Sequence, residues 1–167
     1  MTKVETGSEK SCGDHTLVIE RVLQAPRAAV WRCWTEAALL KQWFCPKPWI
    51  VSEADLDPRP GGRMNCVMEG PDGERVVLPG CWLEVIPEER LTFTDAFTEG
   101  FVPQANPFMT GFVRLTDHPG GGTAMSWGAR HASEEDRNKH IEMGFEQGWS
   151  AAAAQLEELA RRVAGLA

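Results

Sequence analysis

Residues 133–165 read SEEDRNKHIEMGFEQGWSAAAAQLEELARRVAG, and their spacing decides the fold class. Ser133 opens the run, with Glu134 and Glu135 in the first turn and Asp136 where a capping box places an acid. Arg161, Arg162 and Gly165 close it, as cations and a glycine suit a helix C-terminus. Between these ends Ile141, Phe145, Trp149, Ala152, Leu156, Leu159 and Val163 fall on one apolar stripe. The spacing predicts one helix from about Glu134 to Ala164, roughly 45 Å long at 1.5 Å per residue and able to cross a whole sheet. Gly144 and Gly148 interrupt the stripe at a cost of about 1 kcal/mol each relative to alanine, so close approach or empty space is expected beside them.

Upstream, from Trp49 to His131, the period changes to two. Turn-forming clusters recur at Asp57 to Gly62, Gly70 to Gly73, Pro87 to Arg90, Gly100 to Asn106 and Pro119 to Gly122, and six strands fit among them. Arg63 to Glu69 alternates Met64, Cys66 and Met68 with Arg63, Asn65 and Glu69, as a strand with one wet face does. Leu91, Phe93 and Phe97 share one parity, and so do Met125, Trp127 and His131, opposite Ser126 and Arg130.

Earlier still, Leu17 to Gln24 reads as a strand ended by Ala25-Pro26. Pro26 at a first helical position opens a short helix whose core face is Val30, Cys33, Trp34 and Ala37. Thr35 is placed to cap a second short helix, in which Leu39 and Leu40 reach Trp43 before Pro46 and Pro48 end it. The chain is therefore expected to be α+β: a curved antiparallel sheet of about seven strands wrapped around a long C-terminal helix, with two short helices after strand one.

Composition narrows the function classes. Seventeen Lys and Arg against 24 Asp and Glu give a net charge of −7, and no basic cluster exceeds two residues, so nucleic acid is not an expected partner. No apolar run approaches the roughly 20 residues of a spanning helix, so membrane insertion is not expected either. The first 15 residues are polar and lack the apolar middle of a secretory signal. They are read as a disordered leader on a cytoplasmic protein, with residues 16–167 as one domain. Five cysteines at 12, 33, 45, 66 and 81 form no Cys-x-x-Cys pair and suit reduced, mostly buried thiols. Cys12-x-x-His15 has ligand-like spacing but lies in the leader and offers too few donors, so no metal is assigned.

With that order of elements, several stretches resemble the activator-of-heat-shock-protein-90-ATPase-homologue family of the START-like (SRPBCC) helix-grip superfamily. They are Ala25-Pro26 with Val30-Trp31 and Trp34, then LKQWFCP at 40–46, DPRPGG at 57–62 and Pro71-Asp72-Gly73. Gly80, Leu83-Glu84-Val85, Pro87 to Leu91, Gly122-Thr123 and MGFEQGW at 143–149 complete the set. The resemblance spans about Leu17 to Val163 and implies a helix-grip fold with an apolar cavity between sheet and helix. Cys45 departs from a usual glycine before proline, and Glu36-Ala37 from a common Asp-Pro. Eukaryotic co-chaperones of the family carry a further chaperone-binding domain for which 167 residues leave no room, so the resemblance does not imply a direct chaperone partner.

Seven Trp, seven Phe and six Met supply large side chains for such a cavity or for plain core packing. The pocket is expected to be lined by Met64, Met68, Trp82, Phe93, Phe112, Trp127, Phe145 and Trp149, with Trp34 and Trp43 at its rim and His131 facing a ligand. Burying roughly 300 Å² of apolar ligand gains about 7 kcal/mol, from which association takes at least roughly 4 kcal/mol. Tight binding then needs hydrogen bonds, for which His131, Arg114 and Glu84 are the expected sources, although Glu84 also suits an ion pair with Arg90.

No Gly-x-Ser-x-Gly, His-Glu-x-x-His or phosphate-binding glycine loop occurs, tyrosine is absent, and Gly120-Gly121-Gly122 reads as a hairpin turn. No catalytic residue and no cofactor are assigned. The expected partner is an apolar small molecule; a cyclase- or hydrolase-like enzyme in the same cavity and a stress-related co-chaperone-like interaction protein are the alternatives, and a homodimer through a sheet edge or the short helices is left open, with no residue that specifies it.

Overall fold

In the computed structural model, which describes residues 15 to 166, strand β1 (Thr16–Leu23) comes first. Pro26 accepts the opening helical bonds from Ala29 and Val30, so it is the N-cap of helix α1 (Arg27–Thr35) rather than its first residue. Ala29, Val30, Cys33 and Trp34 are the buried face of α1. The expected cap at Thr35 is replaced by Glu36, N-cap of helix α2 (Ala37–Leu40). Thr35 Oγ1 instead donates to Trp31 O at 2.9 Å, a bond to the preceding turn that leaves no hydroxyl for the next helix.

The strands divide into two main antiparallel sheets. β2 (Ile50–Leu56), β3 (Met64–Glu69) and β4 (Arg75–Leu78) form one. The other contains β5 (Cys81–Ile86), β6 (Arg90–Thr94), β9 (Thr110–Asp117) and β10 (Thr123–Arg130), in the order β1, β10, β9, β6, β5. The sheets join where Arg63 bridges Cys81, Met64 N donates to Gly80 O and Trp82 N donates to Gly62 O. Bulges between Val51 and Glu53 and between Trp82 and Glu84 add the bends that an extra residue forces on a strand. A hairpin of β7 (Phe97–Thr98) and β8 (Val102–Pro103) forms about the Gly100 turn; Phe97 was expected in one strand with Leu91 and Phe93, and Val102 and Pro103 within the turn cluster.

The C-terminal run is two helices. α3 (Glu134–Glu142) is capped by Ser133, whose side chain accepts from Asp136 N at 3.1 Å. Gly144, at φ +87°, then caps α4 (Phe145–Val163), because a left-handed residue ends the helical ladder and glycine enters that region without a Cβ clash. The 19 residues of α4 span roughly 28 Å, in place of the single longer rod. The break also shifts phase: Ile141, on the expected stripe, is exposed, and His140 is the buried residue of α3. At Gly148 a Cβ would stand 3.7 Å from Pro46 Cγ, an ordinary contact rather than a close approach.

The helix-grip core lies between the inner sheet face and α4. Phe145, Ala152, Ala153, Leu156, Leu159 and Ala160 of α4 are buried there, with Ile19, Leu91, Val113 and Met125 from the strands. Polar contacts fasten the edges. Gln155 Nε2 donates to Trp43 O at 3.0 Å and Cys45 O at 2.9 Å while its Oε1 accepts from Lys47 N, tying α4 to the turn after α2. Glu157 accepts from Gln24 N and Arg161 donates to Gln24 O, tying it to the end of β1. No described helix is long and apolar enough to cross a membrane. Residues 1 to 14, with Cys12 and most of the expected leader, lie outside the described residues. His15 is described, and its carbonyl accepts from His131 N.

Candidate functional site

Ring-bearing side chains from both sheet and helices converge on the inner face. Trp34 of α1 packs edge-on against Trp43 at 4.7 Å and against Trp127 of β10 at 5.1 Å between ring centres. Trp127 stacks on Trp149 of α4 at 4.3 Å, and Trp149 lies 4.5 Å from Phe145. On the other side Trp34 reaches Phe93 at 6.1 Å, and Phe93 reaches Trp82 at 5.7 Å. Strand parity explains the convergence: Leu91 and Phe93, Val113 and Leu115, and Met125 and Trp127 all face α4. Met64 is buried in the same core and Met68 packs half-buried against it. Phe44, which the sequence patterns did not single out, joins the cluster 5.8 Å from Trp34 and 5.4 Å from Trp43.

Three expected polar or aromatic contributors lie elsewhere. Phe112 is on the outer face, where its ring fills the space a side chain at Gly128 would need and Arg130 lies 4.3 Å over it. Its parity is opposite to Val113, so it does not belong with the inner residues. Arg114 shares that outer parity and is exposed. Glu84 faces outward as well, 3.4 Å from Arg90 and within a hydrogen bond of Thr92, because the bulge before it sets Trp82 and Val85 inward.

The unmet hydrogen-bonding capacity inside is held by indoles. Trp34, Trp82 and Trp127 are each at most 2% exposed, and their Nε1 atoms have no hydrogen-bond partner among the described residues. Trp43, by contrast, donates from Nε1 to Cys33 O at 2.8 Å. An unpaired buried donor costs roughly 1–3 kcal/mol.

At the other end of the ring cluster stands a pair of histidines. His131 Nδ1 lies 2.8 Å from His15 O, and His131 Nε2 lies 2.9 Å from His140 Nδ1. His140 is enclosed by Phe108, Phe145 and Trp149, with ring centres 5.2, 5.0 and 5.5 Å away. Burial, and secondarily the neighbouring His131, push its pKa down to about 4. His131 was legible from its parity with Trp127. His140 was not, although Gly144 four residues later was the signal of a phase change that turns it inward.

Burial holds three of the described thiols in the unreactive protonated form. Desolvation raises Cys33 and Cys45 to about 11 and Cys66 to about 12, which keeps them protonated. Open hollows among the described residues lie away from the rings. One of about 420 Å³ runs along α3 beside Glu134, Asn138 and Lys139, and one of about 170 Å³ lies over β2 to β4 beside Glu53, Asn65 and Val77.

Comparison with known proteins agrees with this architecture. A family model described as activator of Hsp90 ATPase homolog 1-like protein matches residues 24–161. The crystal structure of protein NE0264 from Nitrosomonas europaea is 40% identical, with a TM-score of 0.86 over 89% of this chain and 96% of that one. Protein Ms6760 from Mycobacterium smegmatis is 31% identical, with a TM-score of 0.70 over 89% of this chain and 91% of that one. A protein from Arthrobacter aurescens, at 23% identity and a TM-score of 0.77 over 90% of this chain and 88% of that one, shares the fold. No curated protein matches the chain. Matched over most of its length, and carrying the helix-grip arrangement of sheet and C-terminal helix, the chain belongs to the activator of Hsp90 ATPase homolog 1-like family.

Proposed function

We propose that the protein binds an apolar small molecule carrying at least one acceptor oxygen between its inner sheet face and α4. The observation that carries this reading is the trio of buried indole N–H groups on Trp34, Trp82 and Trp127 without acceptors. A core meant only to pack would be as well served by phenylalanine, which buries similar area and leaves no donor unpaired. A carbonyl or ether oxygen brought among these rings would recover part of the roughly 1–3 kcal/mol that each unpaired donor costs. Met64, Met68 and Phe93 form the sheet side of the site, and Phe145 and Trp149 the helix side. Trp34 and Trp43, expected at the rim, are both fully buried and stand among the rings, with His131 at the far end; Phe112 has no part in it. The rings now touch one another, so entry requires them to part. Four buried thiols suit a reducing compartment, and we place the protein in the cytoplasm.

Native mass spectrometry of the freshly purified chain, followed by denaturing extraction, tests the reading. A stoichiometric adduct that is apolar and contains oxygen is the expected result. A bare chain mass, together with no heat on titration with 2-acetonaphthone as an apolar carbonyl probe, would sink it.

A further inference from the structure

The protons of the His131–His140 pair can be placed by elimination. A backbone carbonyl oxygen only accepts, so the 2.8 Å contact between His131 Nδ1 and His15 O puts a proton on His131 Nδ1. In the neutral ring Nε2 then carries a lone pair, and its 2.9 Å contact with His140 Nδ1 requires the proton to come from His140. His140 Nε2 is left as a bare acceptor with no partner among the described residues, on a side chain 6% exposed. The arrangement matches the way an orienting group fixes the tautomer of a working histidine, with His131 backed by a carbonyl in the orienting place.

The surroundings say what this acceptor suits. The rings packed on His140 belong to Phe108, His131, Phe145 and Trp149, and none carries negative charge. A cationic donor would be buried there without a counter-charge, and a carboxylate has no proton to offer at neutral pH. A neutral hydroxyl fits both limits. Trp149 links the site to Trp127, one of the unpaired donors, by a 4.3 Å stack. An acceptor nitrogen on a buried ring thus stands beside a row of buried donors.

We propose that His140 Nε2 accepts a hydrogen bond from a hydroxyl of the bound molecule, a phenol or an enol, and that His131 is the positioning residue holding His140 in the accepting tautomer. This rests on the ligand-binding reading above and narrows it to apolar, ring-containing or enolic compounds that carry a hydroxyl together with a carbonyl or ether oxygen.

The test compares 2-naphthol with 2-methoxynaphthalene, which keeps ring and oxygen but lacks the donor, by calorimetric titration of the full chain. 2-Naphthol should bind wild type about tenfold tighter, the worth of one hydrogen bond, and this preference should vanish in His140→Phe. In His131→Phe the preference for 2-naphthol over 2-methoxynaphthalene should shrink, because nothing then holds His140 in the accepting tautomer. Nitrogen-15 NMR of the histidine rings in wild type needs no variant: His140 Nε2 should be unprotonated in the free protein and shift with 2-naphthol alone. An equal preference in wild type and His140→Phe, or a protonated His140 Nε2 in the free protein, overturns the histidine assignment while leaving the apolar site standing. Failure of both probes, and of 2-acetonaphthone, overturns the assignment and the site together.

Discussion

The two C-terminal helices sit one residue pair apart and are held in opposite ways. α4 buries six apolar side chains, whereas α3 buries only His140 and leaves Ile141, and Met143 just past its end, in solvent. α4 is fastened by apolar area removed from water, and α3 by a cap, a histidine pair and an edge-on contact with Phe108. An apolar stripe in sequence has energetic meaning only while the helical phase continues, and Gly144 ends that phase.

The largest expected effect follows from that contrast. Leu156→Ala, at a fully buried site of α4, should cost about 3–4 kcal/mol and lower Tm by roughly 10 °C. Ile141→Ala, on the exposed side of α3, should stay within about 0.5 kcal/mol of wild type. Chemical denaturation of the two variants side by side measures both. Equal losses would mean that the stripe runs unbroken through Gly144 and that the two helices act as one.

A smaller effect sharpens the comparison on the α3 side. His140 titrates near 4 in the folded protein, below the ordinary 6.5 of an exposed ring. On acidification the unfolded chain gains this proton first, so the contribution is fully present above about pH 6.5 and is lost as pH falls towards 4. Tm should drop by roughly 5 °C between pH 7 and pH 5, and the curve should be flatter in His140→Phe. Arg27 holds Asp117, and Arg32 holds Glu36, below the usual carboxylate range, so those ion pairs weaken only at lower pH. A wild-type Tm flat across this window, or one that falls equally in His140→Phe, would show that burial of His140 does not couple α3 to pH.

What was legible in the chain was whatever a single period expresses. The alternation through Met125 and Trp127, the glycine turn at 120–122 and the cap at Ser133 each depend on a few neighbouring residues, and each stands in the structure. Long-range choices were not legible in this way. Phe112 and Val113 are both apolar, so only pairing with Gly128 and Trp127 tells which of them faces α4. Glu84 turns outward because of a bulge two residues earlier, a feature without a composition signal. The aromatic members of the candidate site could be named from parity, but their unpaired indole groups could not, since satisfaction depends on every atom nearby. Trp43 finds Cys33 O ten residues back, while Trp34 finds nothing among the described residues.

The smallest effect separates the two glycines that looked alike in sequence. Gly144 has φ +87°, a region in which an added Cβ crowds the backbone, so Gly144→Ala should lose about 1–2 kcal/mol. Gly144→Asn should lose less, because asparagine tolerates the left-handed region. Gly148 lies within α4, and its added Cβ would rest 3.7 Å from Pro46 Cγ, an ordinary packing distance. Gly148→Ala should therefore raise stability by about 0.5–1 kcal/mol, since alanine gives up less chain entropy than glycine in a helix. Gly148→Leu adds atoms beyond that distance and should reverse the gain through collision with Pro46. Thermal unfolding of the four variants reads out the signs directly. If both alanine variants stabilise, the joint at Gly144 gives way to continuous helix at little cost; if both destabilise, Gly148 is held by a close approach that its distance to Pro46 does not express.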